Sequence, residues 1–171
     1  MQLTDSREIS ADRETVYAAL LSAEVLKQCV PGCQDLTGNP EDGFEATVVQ
    51  RVGPVKATFK GQVTLSNMNP PESLTLSGEG KGGAAGFAKG GADVKLEEIE
   101  GGTRLHYEVE AKVGGKLAQL GSRIIDGFAK KMADQFFENF ANAVEGPKDA
   151  DAAEEGPGDQ PKKGWFKRLT S

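Results

Sequence analysis

The chain is short of the side chains that carry out chemistry, and each scarcity removes a class of function. Its 171 residues include one histidine, His106, and two cysteines, Cys29 and Cys33. Two thiols with no histidine near them fall short of a closed four-ligand zinc site, so no metal centre is expected. His106 lies in Leu105-His106-Tyr107-Glu108-Val109-Glu110-Ala111, where two-residue alternation turns Leu105, Tyr107, Val109 and Ala111 inward and His106 toward water. No nucleophile, base and orienting group assemble around it, and no catalytic residue is expected. The acid pairs Glu97 with Glu98 and Glu108 with Glu110 read as solvated faces. A run of eighteen apolar residues is absent, as are the basic start and apolar middle of a secretion signal, so a cytoplasmic location is expected. In that reducing compartment Cys29 and Cys33, which flank Val30-Pro31-Gly32, read as small buried apolar groups. Cations are outnumbered too. The formal charge is −6, and an acidic body excludes nucleic acid as the main partner, because phosphate binding requires a basic surface.

What is present is organised around Gly115 to Val144, which reads as one long amphipathic helix. Leu117, Leu120, Ile124, Phe128, Met132, Phe136 and Phe140 recur at steps of three or four, with Arg123, Asp126, Lys130 and Asp134 on the opposite side. Such a helix spans about 43 Å at the usual rise, and its oily stripe requires an equally long surface to cover it. Pairing with a second copy as a coiled coil is disfavoured, because the apolar positions drift around the axis rather than keeping heptads.

The covering surface comes from the preceding chain. Leu3, Asp5, Arg7 and Ile9 alternate with other residues in a short opening strand. Ser10-Ala11-Asp12 then offers caps for a helix carrying Val16, Tyr17, Leu20 and Leu21. Ser22 starts a second short helix that Pro31-Gly32 ends. Strand patterns follow at Gln34 to Thr37, Phe44 to Val52, Val55 to Ser66, Ser73 to Gly80, Ala88 to Ile99 and Thr103 to Val113, separated by turns rich in Gly, Pro and Asn. The reading is an α+β domain over residues 1–146. A curved antiparallel sheet of six or seven strands wraps a long C-terminal helix, with two short helices after the first strand.

Inward positions along these strands are small, among them Ala57, Gly61, Gly78, Gly80, Ala92 and Ala111, and they face large helix side chains. Two readings fit: complementary close packing, or an apolar pocket between sheet and helix. The pocket reading lines the space with Phe59, Gly61, Gly78, Gly80 and Phe87 from the sheet side. From the helix side it uses Leu117, Leu120, Gly121, Ile124, Ile125, Phe128 and Met132. Gly121 is unusual inside a helix, where glycine costs about 1 kcal/mol against alanine. The run Gly78 to Gly91 matches Gly-x-Gly-x-x-Gly, but the strand pattern that follows lacks the helix a dinucleotide site requires. It reads instead as a rim loop in which Phe87 forms a movable apolar lid.

The chain ends in two stretches of contrasting charge. Residues 147–161 are acidic and rich in Ala, Gly and Pro, a linker composition expected to be disordered. The final stretch, 162–171, combines Lys162, Lys163, Lys167 and Arg168 with Trp165, Phe166 and Leu169. Cations favour anionic lipid and aromatics favour the interface, so the tip reads as a peripheral anchor on the inner face of the cell membrane. A docking peptide for another protein is the competing reading.

Leu26-Lys27-Gln28-Cys29-Val30-Pro31-Gly32-Cys33, the segment Phe59-Lys60-Gly61-Gln62-Val63 and the Gly-rich run to Gly91 carry a resemblance over residues 1 to about 146. With them the chain resembles the carbon monoxide dehydrogenase G-subunit family, a branch of the START-like helix-grip superfamily. That resemblance implies a cavity for a hydrophobic small molecule, here expected to be a respiratory quinone or a lipid held without covalent attachment. It also implies association with a molybdenum hydroxylase of the carbon monoxide dehydrogenase type, which the family helps bring to the membrane. The chain is then a non-catalytic adaptor. A cyclase or hydrolase-like enzyme using the same cavity, or an assembly factor with an empty core, are the alternatives.

Overall fold

The computed structural model describes residues 1–145. Strand β1 (Gln2–Ile9) leads into helices α1 (Arg13–Leu20) and α2 (Ala23–Cys29), followed by β2 (Cys33–Asn39), β3 (Gly43–Val52), β4 (Val55–Asn69) and β5 (Ser73–Lys81). A 3-10 turn at Gly83–Ala85 precedes β6 (Phe87–Ile99) and β7 (Gly102–Gly114), and the chain closes with α3 (Lys116–Gln119) and α4 (Ser122–Glu145). The strands form one antiparallel sheet in the order β1-β7-β6-β5-β4-β3-β2. This is the helix-grip architecture expected from the strand and helix patterns.

Local chemistry sets the boundaries. Asp12 caps α1 by accepting from the Thr15 N–H, and the Ser22 hydroxyl caps α2 by accepting from the Val25 N–H, each supplying one of the partners a helix start leaves open. Gly32 turns the chain out of α2 at φ +76°, a conformation that costs glycine little. The main core lies where α1, α2 and the C-terminal half of α4 meet the sheet. There Ile9, Val16, Leu20, Cys29, Leu74, Val94, Leu96, Leu105, Tyr107 and Phe140 are buried together. A second, smaller cluster of Val52, Leu117 and Ile125 sits at the other end of α4, with Val55, Phe59, Val113, Leu120 and Phe128 packed on it.

Three expectations change. The long helix is two helices, because Gly121 adopts φ +89° between them. That break resets the helical phase, so Ile125 rather than Ile124 turns inward; Ile125 is buried, whereas Ile124 is 41% exposed. The Gly-rich run is mostly strand: Gly78 pairs with Gly90 and Gly80 with Ala88, leaving only a tight turn around Gly83–Ala85. Phe87 is not a lid. Residues Ala88, Gly90, Ala92 and Val94 take the inner face of β6, so Phe87 points outward, where its ring covers Gly114 and remains 43% exposed. The acidic linker 147–161 and the basic aromatic tip 162–171 lie outside the described residues.

Candidate functional site

The interior between the two core clusters is built from successive inward rows of small residues. Cross-strand pairing aligns Ala46, Gly61, Gly80, Ala88 and Val113 in one row, and Val63, Gly78, Gly90 and Ala111 in the next. A side chain added at Gly80 would meet no atom within 4 Å, and one at Gly61 would touch only the Glu79 carbonyl, at 3.4 Å. Helix α4 approaches the sheet backbone mainly at β1 and β3, beside the outer strands, rather than over β4, β5 and β6. At the centre of the sheet the small residues Gly61, Gly78, Gly80, Ala88 and Gly90 are only half-buried. An open space of about 1730 Å³ is bordered by Leu76, Ala92, Val109, Ala111 and Val113 and by Asp126 of α4. Most of its border is outward-facing, Lys89, Asp93, Glu108 and Glu110 included, and Gly61, Gly78 and Gly80 do not border it, so this space lies largely outside the grip. Binding sites for drug-sized molecules run to roughly 300–1,000 Å³.

The expected cavity residues divide by role. Gly61, Gly78 and Gly80 face the hollow, and Met132 is half-buried on the α4 stripe between the clusters. Leu117, Leu120, Ile125, Phe128 and Phe59 instead pack together and wall off one end. The Phe59 ring lies against Gly82, so the turn after β5 finishes that wall. Gly121 is exposed at the helix break, and Ile124 contacts the β3–β4 hairpin at Gly53. Ala46, Ala88 and Gly90 share the inner face but escaped the sequence reading. Alternation alone gives their face; strand order and register are required to give their neighbours.

One polar group was also missed. Arg7 points inward from β1 and donates to the Tyr107 hydroxyl at 3.2 Å and to the Asp134 carboxylate of α4. Its guanidinium stacks over Phe137 at 5.3 Å. The Arg7 hydrogen bond, with a further one from Lys130, holds the Asp134 carboxyl below its ordinary value of 3.8. A carboxylate with a lowered pKa contributes stability above its unfolded-state pKa and loses it as pH falls through the folded one. Asp134→Asn is therefore expected to lower the melting temperature at neutral pH, with the gap from wild type closing below about pH 4 as wild-type Asp134 takes up its proton. Equal gaps at pH 7 and pH 3 would contradict this account.

The remaining reactive side chains are structural in their settings. Burial raises the Cys29 thiol to about 11, which leaves it protonated and inert at neutral pH. Both cysteines are free. Cys29→Ser places a hydroxyl in that buried site and is expected to cost about 1–3 kcal/mol in denaturant unfolding. Cys33→Ser, at a half-buried position, should stay within about 0.5 kcal/mol of wild type. His106 points outward as expected, its Nε2 2.9 Å from Glu97 Oε1. Among the described residues no group of His, Cys, Asp and Glu could hold a metal ion, and no helix is long and apolar enough to cross a membrane.

Comparison with known proteins agrees with this geometry. A conserved protein from Geobacillus kaustophilus is 28% identical, with a TM-score of 0.79 over 85% of this chain and 95% of that one. Proteins from Chromobacterium violaceum and Thermus thermophilus share the fold at 18% and 13% identity, with TM-scores of 0.63 and 0.62. Each alignment covers 85% of this chain, with 98% of the first protein and 97% of the second. No curated protein sequence matches the chain. The family model for the G subunit of carbon monoxide dehydrogenase (CoxG) matches residues 6–145, a span that runs from β1 through the whole of α4, and the chain belongs to that family.

Proposed function

We propose that this chain is a non-catalytic adaptor that carries an apolar molecule in the grip and brings a molybdenum-containing, carbon monoxide dehydrogenase-type enzyme to the cytoplasmic membrane face. The observation that supports it best is the half-buried centre of the sheet, where a side chain added at Gly80 would meet no atom within 4 Å and one at Gly61 only the Glu79 carbonyl. The inward sheet rows that wall it are apolar and carry no charge, which favours a hydrocarbon chain over a polar metabolite. The isoprenoid tail of a respiratory quinone fits that chemistry and would let electrons from the partner enzyme reach the quinone pool; a lipid tail has the same chemistry. An enzymatic use of the cavity would require an inward acid or base. Arg7 is paired with Asp134, whose side chain is 47% exposed and held ionised, and Asp126, which borders the open space, is exposed as well.

Membrane recruitment is assigned to the tip, where Lys162, Lys163, Lys167 and Arg168 surround Trp165 and Phe166. Cations near anionic lipid contribute about 1 kcal/mol each, and salt weakens them. Adding the full chain should carry the purified partner enzyme down with vesicles containing anionic lipid, and a chain lacking residues 162–171 should carry down far less. The truncated chain is expected to keep its melting temperature and its ligand. Equal recruitment by both chains would remove the tip from the account.

A further inference from the structure

The body of the protein is acidic, yet one part of its outer sheet face is cationic. Register places Lys60 opposite Lys81, Lys81 opposite Phe87, Lys89 opposite Lys112 and Arg51 opposite Lys56. With strands about 4.8 Å apart, Lys60, Lys81, Lys89 and Lys112 surround the exposed ring of Phe87, and Arg51 and Lys56 extend the cationic face about 13 Å along β4 from Lys60. Glu79, which register sets opposite Lys89, and Glu110, beside Lys112 on the same face of β7, are the acids within the patch, two against the four lysines around Phe87. All six cations are exposed, and none takes part in an ion pair among the described residues. The acids of this face that do pair, Glu8 and Glu97, lie toward the opposite end of β6 and β7, with Arg104 and His106. Phe87, Lys89 and Lys112 also border the open space on this outer face, together with Glu108 and Glu110.

We propose that this cationic outer face docks the folded domain on an anionic lipid bilayer, with Phe87 at the headgroup level. The inference rests on the apolar-carrier reading for its purpose, though the docking itself does not depend on it. Composition decides between a bilayer and an acidic protein. Five of the six cations are lysines, which are depleted from protein interfaces, where arginine is enriched. Lysine is a mobile point charge suited to a diffuse anionic surface, whereas arginine's rigid fork recognises single carboxylates. An aromatic ring among lysines has the character of a membrane-interface residue.

The test uses the full chain, tip included, with vesicles of phosphatidylglycerol mixed with phosphatidylcholine. The variant Lys81→Gln, Lys89→Gln, Lys112→Gln is compared with a control of equal charge, Lys27→Gln, Lys95→Gln, Lys131→Gln. All six positions are exposed, so both proteins should melt where wild type does. At about 1 kcal/mol per cation close to the surface, the patch variant should bind roughly a hundredfold more weakly than the control at low salt. The control should stay near wild type, and Phe87→Ser should lower the share of binding that high salt leaves intact. Equal vesicle binding by the two triple variants overturns the proposal. So does a patch variant that keeps vesicle binding but loses capture of the partner enzyme, since the face would then be a protein interface. A protein found to carry no apolar ligand, yet losing vesicle binding with the patch, would contradict the carrier reading and leave the docking face standing.

Discussion

Replacing Gly80 with leucine is expected to empty the protein of its apolar ligand while leaving it folded. Gly80 lies in β5, its inward direction meets no atom within 4 Å, and its backbone is not among those at positive φ. A leucine there violates no backbone preference, and strands favour a branched side chain over glycine. Its four carbons would project into the row shared with Gly61 and Ala88, the space assigned to the ligand. Bound ligand should fall by more than an order of magnitude, a loss of at least about 1.4 kcal/mol in binding. Gly61→Leu, on the cross-strand neighbour, should do the same. Glu79→Leu, on the opposite face of the same strand, should not. A Gly80→Leu protein that melts normally and retains ligand as wild type does would move the site elsewhere.

Phe140→Ala should have the largest effect on stability, about 3–5 kcal/mol, the range for removing a large aromatic from a packed core. Phe140 is 0% exposed, stacks on Phe136 at 5.9 Å and meets the edge of Phe137 at 6.4 Å. These rings fix the C-terminal half of α4 against Tyr107, which stacks on Phe137 at 4.9 Å. Asn139 adds a hydrogen bond to the Cys29 carbonyl at the end of α2. This end of α4 carries the larger of the two buried clusters, so the placement of the helix over the sheet depends on it. Denaturant titration should show a lower midpoint with an unchanged slope, the mark of lost stability without a change in surface exposed. A cost below about 1 kcal/mol would mean that the core is distributed differently.

The sheet was legible in the sequence because alternation in stretches such as Val55 to Leu65 states both the strand and its buried face. The caps at Asp12 and Ser22 and the turn at Gly32 were legible because each rests on local chemistry within a few residues. The break at Gly121 was not. The apolar positions continue across it at helical spacing, and a single residue at positive φ leaves no trace in that pattern except that it is glycine. The same break explains why, of Ile124 and Ile125, both placed in the cavity, only Ile125 is buried. Phe87 was misplaced for a different reason: without knowing that β6 starts at that residue, its face could not be counted from Val94. The Arg7–Asp134 pair joins residues 127 positions apart, and only strand order brings them together. Individual glycines could be read as small inward residues, but their alignment into rows depends on the register of neighbouring strands.

The central claim is that the space under α4 holds an apolar molecule. The direct measurement is extraction of the purified full-length protein with organic solvent, followed by mass spectrometry of the extract and by native mass spectrometry of the intact protein. The account predicts a prenylated quinone or a lipid near one per chain, absent from a Gly80→Leu protein prepared in the same way. An intact mass equal to that of the bare chain, together with an empty extract and no uptake of added quinone or lipid, would contradict it.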